Sequence, residues 1–405
     1  MGAHSLPTGP ALLRAREPRV PGATSVALGS CVRRNAPPNG DVATIVKLSL
    51  TGLLGETEAA ERLGIGTADL RSLLAQHDLA DTAMLPCRVD DELALTYVDI
   101  GRDSFAAPRF DDVVERHVRA DPPPESAVFR LPARDVLRAD AAAAGPAGII
   151  AHVGRCGSTL LCNLLAAGGG WAAIKEPEVI NRLLLRRANE RDDERRATIA
   201  ALVARVLHSL AHGTRRDAAG ATRRCSVKLS SWNLLFADAF ATAPTTPIVM
   251  LSRDPWATVA SSLQHLPDWY HAAADMPAPH DRVALARLFA TEWSRIVEAA
   301  LSLPGASLFL SYDALIADPV ATVAAVRRHF GDDRPLEPGM LDAVRQQYSK
   351  AAGQEPFDPG GRHRRYELDD DIRDVVTTIT ASGWARLRER EGNRASTLTV
   401  KPRSP

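Results

Sequence analysis

The chain has 405 residues, too many for one small core, so two or three domains are expected, and its 45% hydrophobic content can fill them. Lys+Arg and Asp+Glu are both 49, so bulk charge makes no case for a polyanionic partner and any basic site must be local. The five cysteines (31, 87, 156, 162 and 225) are scattered without a C-x-x-C pair, which argues against a disulfide framework or a zinc site; with no long apolar run and no signal core, a cytoplasmic protein without a membrane span is expected.

Residues 1–40 are rich in Gly, Pro, Ala and Arg without periodicity and read as a disordered tail. Residues 41–140 read as a small, mainly helical but mixed module. Within it, ETEAAERLGIGTADLRSLLAQHDL has the form of a helix-turn-helix, with Ala60 and Gly64 at the turn and Thr67 opening the second helix. Leu63, Ile65, Leu70 and Leu73 would fill its core. Between Glu56 and Asp78 the bases are only Arg62 and Arg71, against Glu56, Glu58, Glu61, Asp69 and Asp78. A DNA-recognition helix needs donors for phosphates and bases, so packing or partner docking is the better reading. A strand is expected near Leu93–Ile100 and a helix over Phe110–Val118, then a small-residue linker, Asp140–Gly148.

The stretch Gly148–Leu165, GIIAHVGRCGSTLLCNLL, joins a short apolar strand to a tight polar turn and a helical apolar pattern. Such a turn aims backbone N–H groups at one point, where the helix dipole favours an anion. Gly154 and Gly157 permit close backbone approach, Arg155 adds a planar donor, and Ser158 and Thr159 add hydroxyls. No lysine lies in the turn, so it is not the Walker loop of a magnesium-dependent NTPase.

From Gly148 onward, strand candidates at 149–153, 171–175, 225–229, 248–252 and 306–312 alternate with helices. This predicts an α/β fold, a parallel sheet with helices on both faces, whose ligands sit at the carboxyl edge. That rule brings Arg155, Glu176, Lys228 and Arg253 to one edge: three cations and one carboxylate, a set suited to a polyanionic ligand and one proton in motion.

Three blocks together resemble the sulfotransferases that use 3'-phosphoadenosine 5'-phosphosulfate (PAPS). R-C-G-S-T-L-L resembles the family's 5'-phosphosulfate loop, R-D-P-W-A-T-V-A-S-S its 3'-phosphate motif, and S-Y-D-A-L-I-A-D-P-V-A-T-V its later strand–loop–helix. The resemblance covers roughly 148–370, within a sulfotransferase domain expected over 146–395. It implies a P-loop-like sulfotransferase fold. It also implies that Arg155, Cys156, Gly157, Ser158 and Thr159 hold the 5'-phosphosulfate, and that Arg253 and Ser261 hold the 3'-phosphate. Lys228 would donate to the bridging oxygen. The histidine base of some relatives is replaced by Ser230, so the resemblance points to Glu176 as general base, with Glu178 as the nearby substitute.

The acceptor, a hydroxyl or an amine of a small molecule, carbohydrate or natural product, would lie against 181–222 and 264–282. The second of these, with His265, Trp269, Tyr270 and His271, would be a lid. The basic turn Gly360–Arg365 is a candidate late loop over the 3'-phosphate. No metal is expected. The competing readings are a P-loop kinase or phosphotransferase, and a helix-turn-helix regulator with a nucleotide-sensing domain.

Overall fold

The computed structural model describes residues 45, 49, 54–75, 84–100, 110–118, 128–138, 145–214, 223–239, 246–272, 276–303, 307–345 and 369–398. The tail 1–40 and the basic turn 360–365 lie outside the described residues.

The hairpin near the N-terminus consists of α1 (Glu56–Leu63) and α2 (Thr67–Ala75). Gly64 closes α1 in the left-handed region at φ 67°, where a side chain would be strained. Leu70 is fully buried, whereas Ile65, expected in the core, is exposed. Arg62 pairs with Glu58, and Arg71 with Glu56 at 2.8 Å, so both basic side chains of the hairpin are engaged by its own acids.

A three-stranded antiparallel sheet follows, β1 (Met84–Val89), β2 (Leu95–Asp99) and β3 (Val128–Leu131), with α3 (Phe110–Val118) between β2 and β3 and α4 (Ala133–Arg138) after it.

The second sheet has five parallel strands: β4 (Gly148–His152), β5 (Trp171–Lys175), β6 (Arg224–Lys228), β7 (Ile248–Ser252) and β8 (Leu308–Ser311). Their spatial order is β5-β6-β4-β7-β8, so β4 is central and the chain first winds to one side of it, then to the other. β4 is buried throughout, as a strand covered on both faces must be. Alternate side chains feed opposite layers. Ile149 packs with the helices α6 (Glu178–Asn189) and α7 (Asp193–Gly213) and with the three-stranded sheet. Ile150 packs with α5 (Ser158–Ala167), α10 (Arg282–Leu301) and α12 (Pro319–His329). A third cluster joins α8 (Pro255–Gln264), α10 and the C-terminal helix α14 (Asp370–Leu398). The five expected strands are these five, and the fold is the expected α/β architecture.

One buried acid in α10 carries a stability consequence. Glu292 is 5% exposed and its Oε2 has no hydrogen-bond partner. Burial pushes its carboxyl up to about 7 from 4.5, with Arg295 opposing the shift. The folded state therefore holds a proton that the unfolded state gives up. Stability from this group is full below about pH 4.5 and is lost as pH rises toward 7. Glu292→Gln is expected to match wild type in urea unfolding at pH 4.5 and to exceed it by ~3 kcal/mol at pH 8. An equal stability difference at both pH values would rule this out.

Candidate active site

The carboxyl ends of β4, β5, β6 and β7 meet where the winding direction reverses, the usual ligand position in such sheets. After β4 the chain turns through Gly154 (φ 81°), Arg155 (φ 48°) and Gly157 (φ 80°), then enters α5 at Ser158. Successive left-handed residues make a concave nest of N–H groups at a helix N-terminus. A Cβ at Gly157 would come within 2.9 Å of the Tyr312 ring, so only glycine fits between the turn and that aromatic.

Glu176 follows β5 directly. It too is strained, at φ 53° in a residue with a side chain, a conformation that recurs at functional sites. Its N–H donates to the Lys228 carbonyl at 2.7 Å, which docks the β5 end on the β6 end. The side chains meet as well: Lys228 Nζ lies 2.5 Å from Glu176 Oε1 and 3.2 Å from Thr159 Oγ1. Lys228 is only 1% exposed, so its ammonium is satisfied by this carboxylate and the hydroxyl at the start of α5. Glu178 does something else. Its carboxylate bonds Asn181 and Arg182 within α6, at 3.1 and 3.3 Å.

Arg253, at the end of β7, donates through Nη1 to the Arg155 carbonyl at 2.8 Å and lies 4.4 Å over the Tyr312 ring. Asp254 caps α8 by accepting from the N–H groups of Trp256 and Ala257, with Pro255 opening the helix. Ser261 lies two turns along α8. The Arg155 side chain reaches the His265 carbonyl at the end of that helix. The Cys156 side chain points into the core, where burial raises its thiol to about 11; from this residue only the backbone faces the turn. Two sets of contacts thus meet at the turn after β4: Glu176–Lys228–Thr159, and Arg253–Arg155.

Residues 149–335 match the model of a sulfotransferase family. That stretch, 187 of the 405 residues, carries the likeness to sulfotransferases. Among solved structures it is similar to the sulfotransferase domain from the curacin biosynthetic pathway, at 15% identity over 58% of this chain and 98% of that one, TM-score 0.34. A sulfotransferase from Alicyclobacillus acidocaldarius shares 15% identity over 64% of this chain and 100% of its own, TM-score 0.35. A mouse sulfotransferase complexed with PAP shares 14% identity over 62% of this chain and 88% of its own, TM-score 0.35. No curated protein matches the chain.

Two further residues at this strand edge escaped the sequence reading. His152, buried at the end of β4, accepts from the Gly154 N–H on Nδ1 and donates from Nε2 to the Leu229 carbonyl, both at 2.9 Å. These bonds assign the neutral tautomer with its proton on Nε2 and tie the glycine turn to the β6 end. Lys175 is paired in register with Lys228 and gives its ammonium to Asn163 at 2.7 Å, one turn along α5 from Thr159. Burial lowers its pKa. The only signal for either was a polar residue at the end of an apolar run. Two residues of the expected lid pack inward. Tyr270 is buried in the third cluster and Trp269 packs edge-on against Phe289 at 5.8 Å, so these aromatics anchor the segment to the core. The described residues include no helix long and apolar enough to cross a membrane.

Proposed function

We propose that this sulfotransferase moves a sulfuryl group from PAPS to an acceptor hydroxyl or amine, with Glu176 as general base. The observation that carries the reading is the Glu176–Lys228–Thr159 contact at the mouth of the anion turn. Sulfuryl transfer, like phosphoryl transfer, asks the protein mainly to align two oxygens and neutralise charge. The acceptor oxygen forms a bond to sulfur as the bond from sulfur to the bridging phosphate oxygen breaks, releasing adenosine 3',5'-bisphosphate. Glu176 takes the acceptor proton. Lys228 donates to the bridging oxygen as charge builds there.

The residues present fit this donor. The left-handed turn at 154–157 supplies N–H groups for the 5'-phosphosulfate, and Arg155, Ser158 and Thr159 surround it. Arg253 and Ser261 would receive the 3'-phosphate, the group that distinguishes PAPS from ATP. The site residues used here come from strand ends and the loops after them, so the acceptor would enter over that edge. A cytoplasmic location and a small-molecule acceptor fit the reading.

Calorimetric titration with adenosine 3',5'-bisphosphate, beside ATP with magnesium, tests the donor. The bisphosphate should bind without metal and in preference to Mg-ATP. Arg253→Ala should weaken it by about 2–3 kcal/mol, the worth of charged hydrogen bonds. Preference for Mg-ATP would favour a phosphotransferase and sink the PAPS reading.

A further inference from the structure

The region before the parallel sheet reaches the catalytic edge. The helix α6 starts two residues after Glu176, and its N-cap, Pro177, has no side-chain acceptor to offer. The Glu178 N–H at the head of α6 would be left without a partner inside the helix. It donates to Asp111 Oδ2 at 3.2 Å, a carboxylate from α3, 67 positions earlier in the chain. An acid there also suits the positive end of the α6 dipole.

The same region grips α6 farther along. Arg186 donates to the Asp90 carbonyl and pairs with Asp91 Oδ1 at 2.5 Å, both in the turn between β1 and β2. That turn is held by Asp90 Oδ1, which accepts from the N–H groups of Glu92 and Ala94 at 3.0 and 2.9 Å. Between these two grips, Phe110, Val113 and Val114 of α3 share one buried cluster with Val179, Ile180, Leu183 and Leu184 of α6. The loop so held carries a side-chain residue at φ 53°, a backbone state that persists only where its surroundings enforce it.

We propose that the β1–β2 turn and α3 are a working part of the catalytic centre, and that Asp111 is a positioning residue that holds the loop bearing Glu176 against Lys228. This rests on the reading of Glu176 as base. Asp111 touches the α6 N-terminus, so its effect on the reaction passes through the position of Glu176. Its loss would loosen that loop and leave the nucleotide contacts of β4 and β7 in place.

The test uses the full chain and PAPS hydrolysis, in which water is the acceptor, with adenosine 3',5'-bisphosphate as the binding probe. Asp111→Ala should slow hydrolysis about 10- to 100-fold, the cost of a misplaced catalytic group. The bisphosphate Kd should stay within about twofold. Asp111→Asn, whose carboxamide oxygen still accepts, should recover most of the rate. Combining Asp111→Ala with Glu176→Gln should add nothing to the loss from Glu176→Gln alone. Amide hydrogen exchange over residues 176–182 should quicken in Asp111→Ala, a readout independent of turnover.

Unchanged exchange, or wild-type hydrolysis by Asp111→Ala beside an inactive Glu176→Gln, would overturn the proposal. Losses that multiply in the double variant would do the same. Wild-type hydrolysis by Glu176→Gln would instead remove Glu176 as base, and with it the catalytic half of the proposal. Should Asp111→Ala fail to fold, Asp111→Ser against Asp111→Asn makes the same comparison.

Discussion

Glu176→Gln is expected to lower turnover by about 10²- to 10⁴-fold, the range for losing a general base, while leaving the adenosine 3',5'-bisphosphate Kd within about twofold. Glutamine is the informative replacement. Lys228 is almost fully buried and spends its ammonium on Glu176 Oε1 and Thr159 Oγ1. Alanine would strand that charge, and breaking a buried pair from one side costs about 3–5 kcal/mol. A dead Glu176→Ala variant would then report misfolding as readily as chemistry. The glutamine carboxamide keeps an acceptor for Lys228 but cannot take a proton from the acceptor substrate. Single-turnover sulfate release from radiolabelled PAPS, read beside calorimetry, separates the two effects. Turnover at the wild-type rate would remove Glu176 as base and turn attention to Glu178, although its carboxylate is engaged along α6.

Asp332→Ala is expected to cost about 3–5 kcal/mol of stability, at the opposite edge of the sheet from the reaction. Asp332 follows α12 and accepts from Arg327 through Nε and Nη2 at 2.9 and 2.7 Å, from Arg334 at 2.8 Å and from Trp171 Nε1 at 2.7 Å. Arg327 and Asp332 side chains are each only 2% exposed. Arg327 also donates to the Gly168 carbonyl at 2.8 Å, so this carboxylate organises the turn through which the chain leaves α5 and enters β5. Removing it leaves a guanidinium and an indole N–H buried without their acceptor. Burial by itself would raise the Asp332 carboxyl; the bonds from Arg334, Trp171 and Arg327 outweigh it and hold the group well below the usual carboxylate range. Its contribution is therefore full above about pH 4, the unfolded value, and is lost as pH falls further. Urea unfolding of Asp332→Ala beside Asp333→Ala checks this. The neighbouring aspartate is exposed and should matter by less than about 0.5 kcal/mol. Equal midpoints for the two variants would refute the role given to Asp332.

Residue spacing carried the architecture far. Apolar runs of strand length, each followed by a polar residue and a helical pattern, located all five strands of the parallel sheet, and the carboxyl-edge rule then gathered Arg155, Glu176, Lys228 and Arg253. These features are legible because the period of hydrophobicity and the placement of glycines are local properties of the chain. The role of Asp111 was not legible. Nothing in its neighbourhood distinguishes it from a helix-start acid, and its partner N–H is 67 residues away. His152 was hidden in the same way, inside an otherwise apolar strand whose end it ties to Leu229.

The segment 181–222 shows the boundary between the two kinds of information. By charge alone, its stretch LLLRRANERDDERRAT reads as a solvated helix. In the fold, Leu183 and Leu184 are fully buried, Arg186 is held by the β1–β2 turn, and Arg187 pairs with Asp238 at 2.5 Å. The parallel sheet, the glycine turn and the likeness to sulfotransferases were legible early, because each depends on residues close together in the chain. Only the tertiary structure decided which acid stands beside Lys228, which one secures the head of α6, and that the antiparallel sheet shares a core with the parallel one. Those are contacts between segments far apart in the chain, and they exist only once the layers have packed.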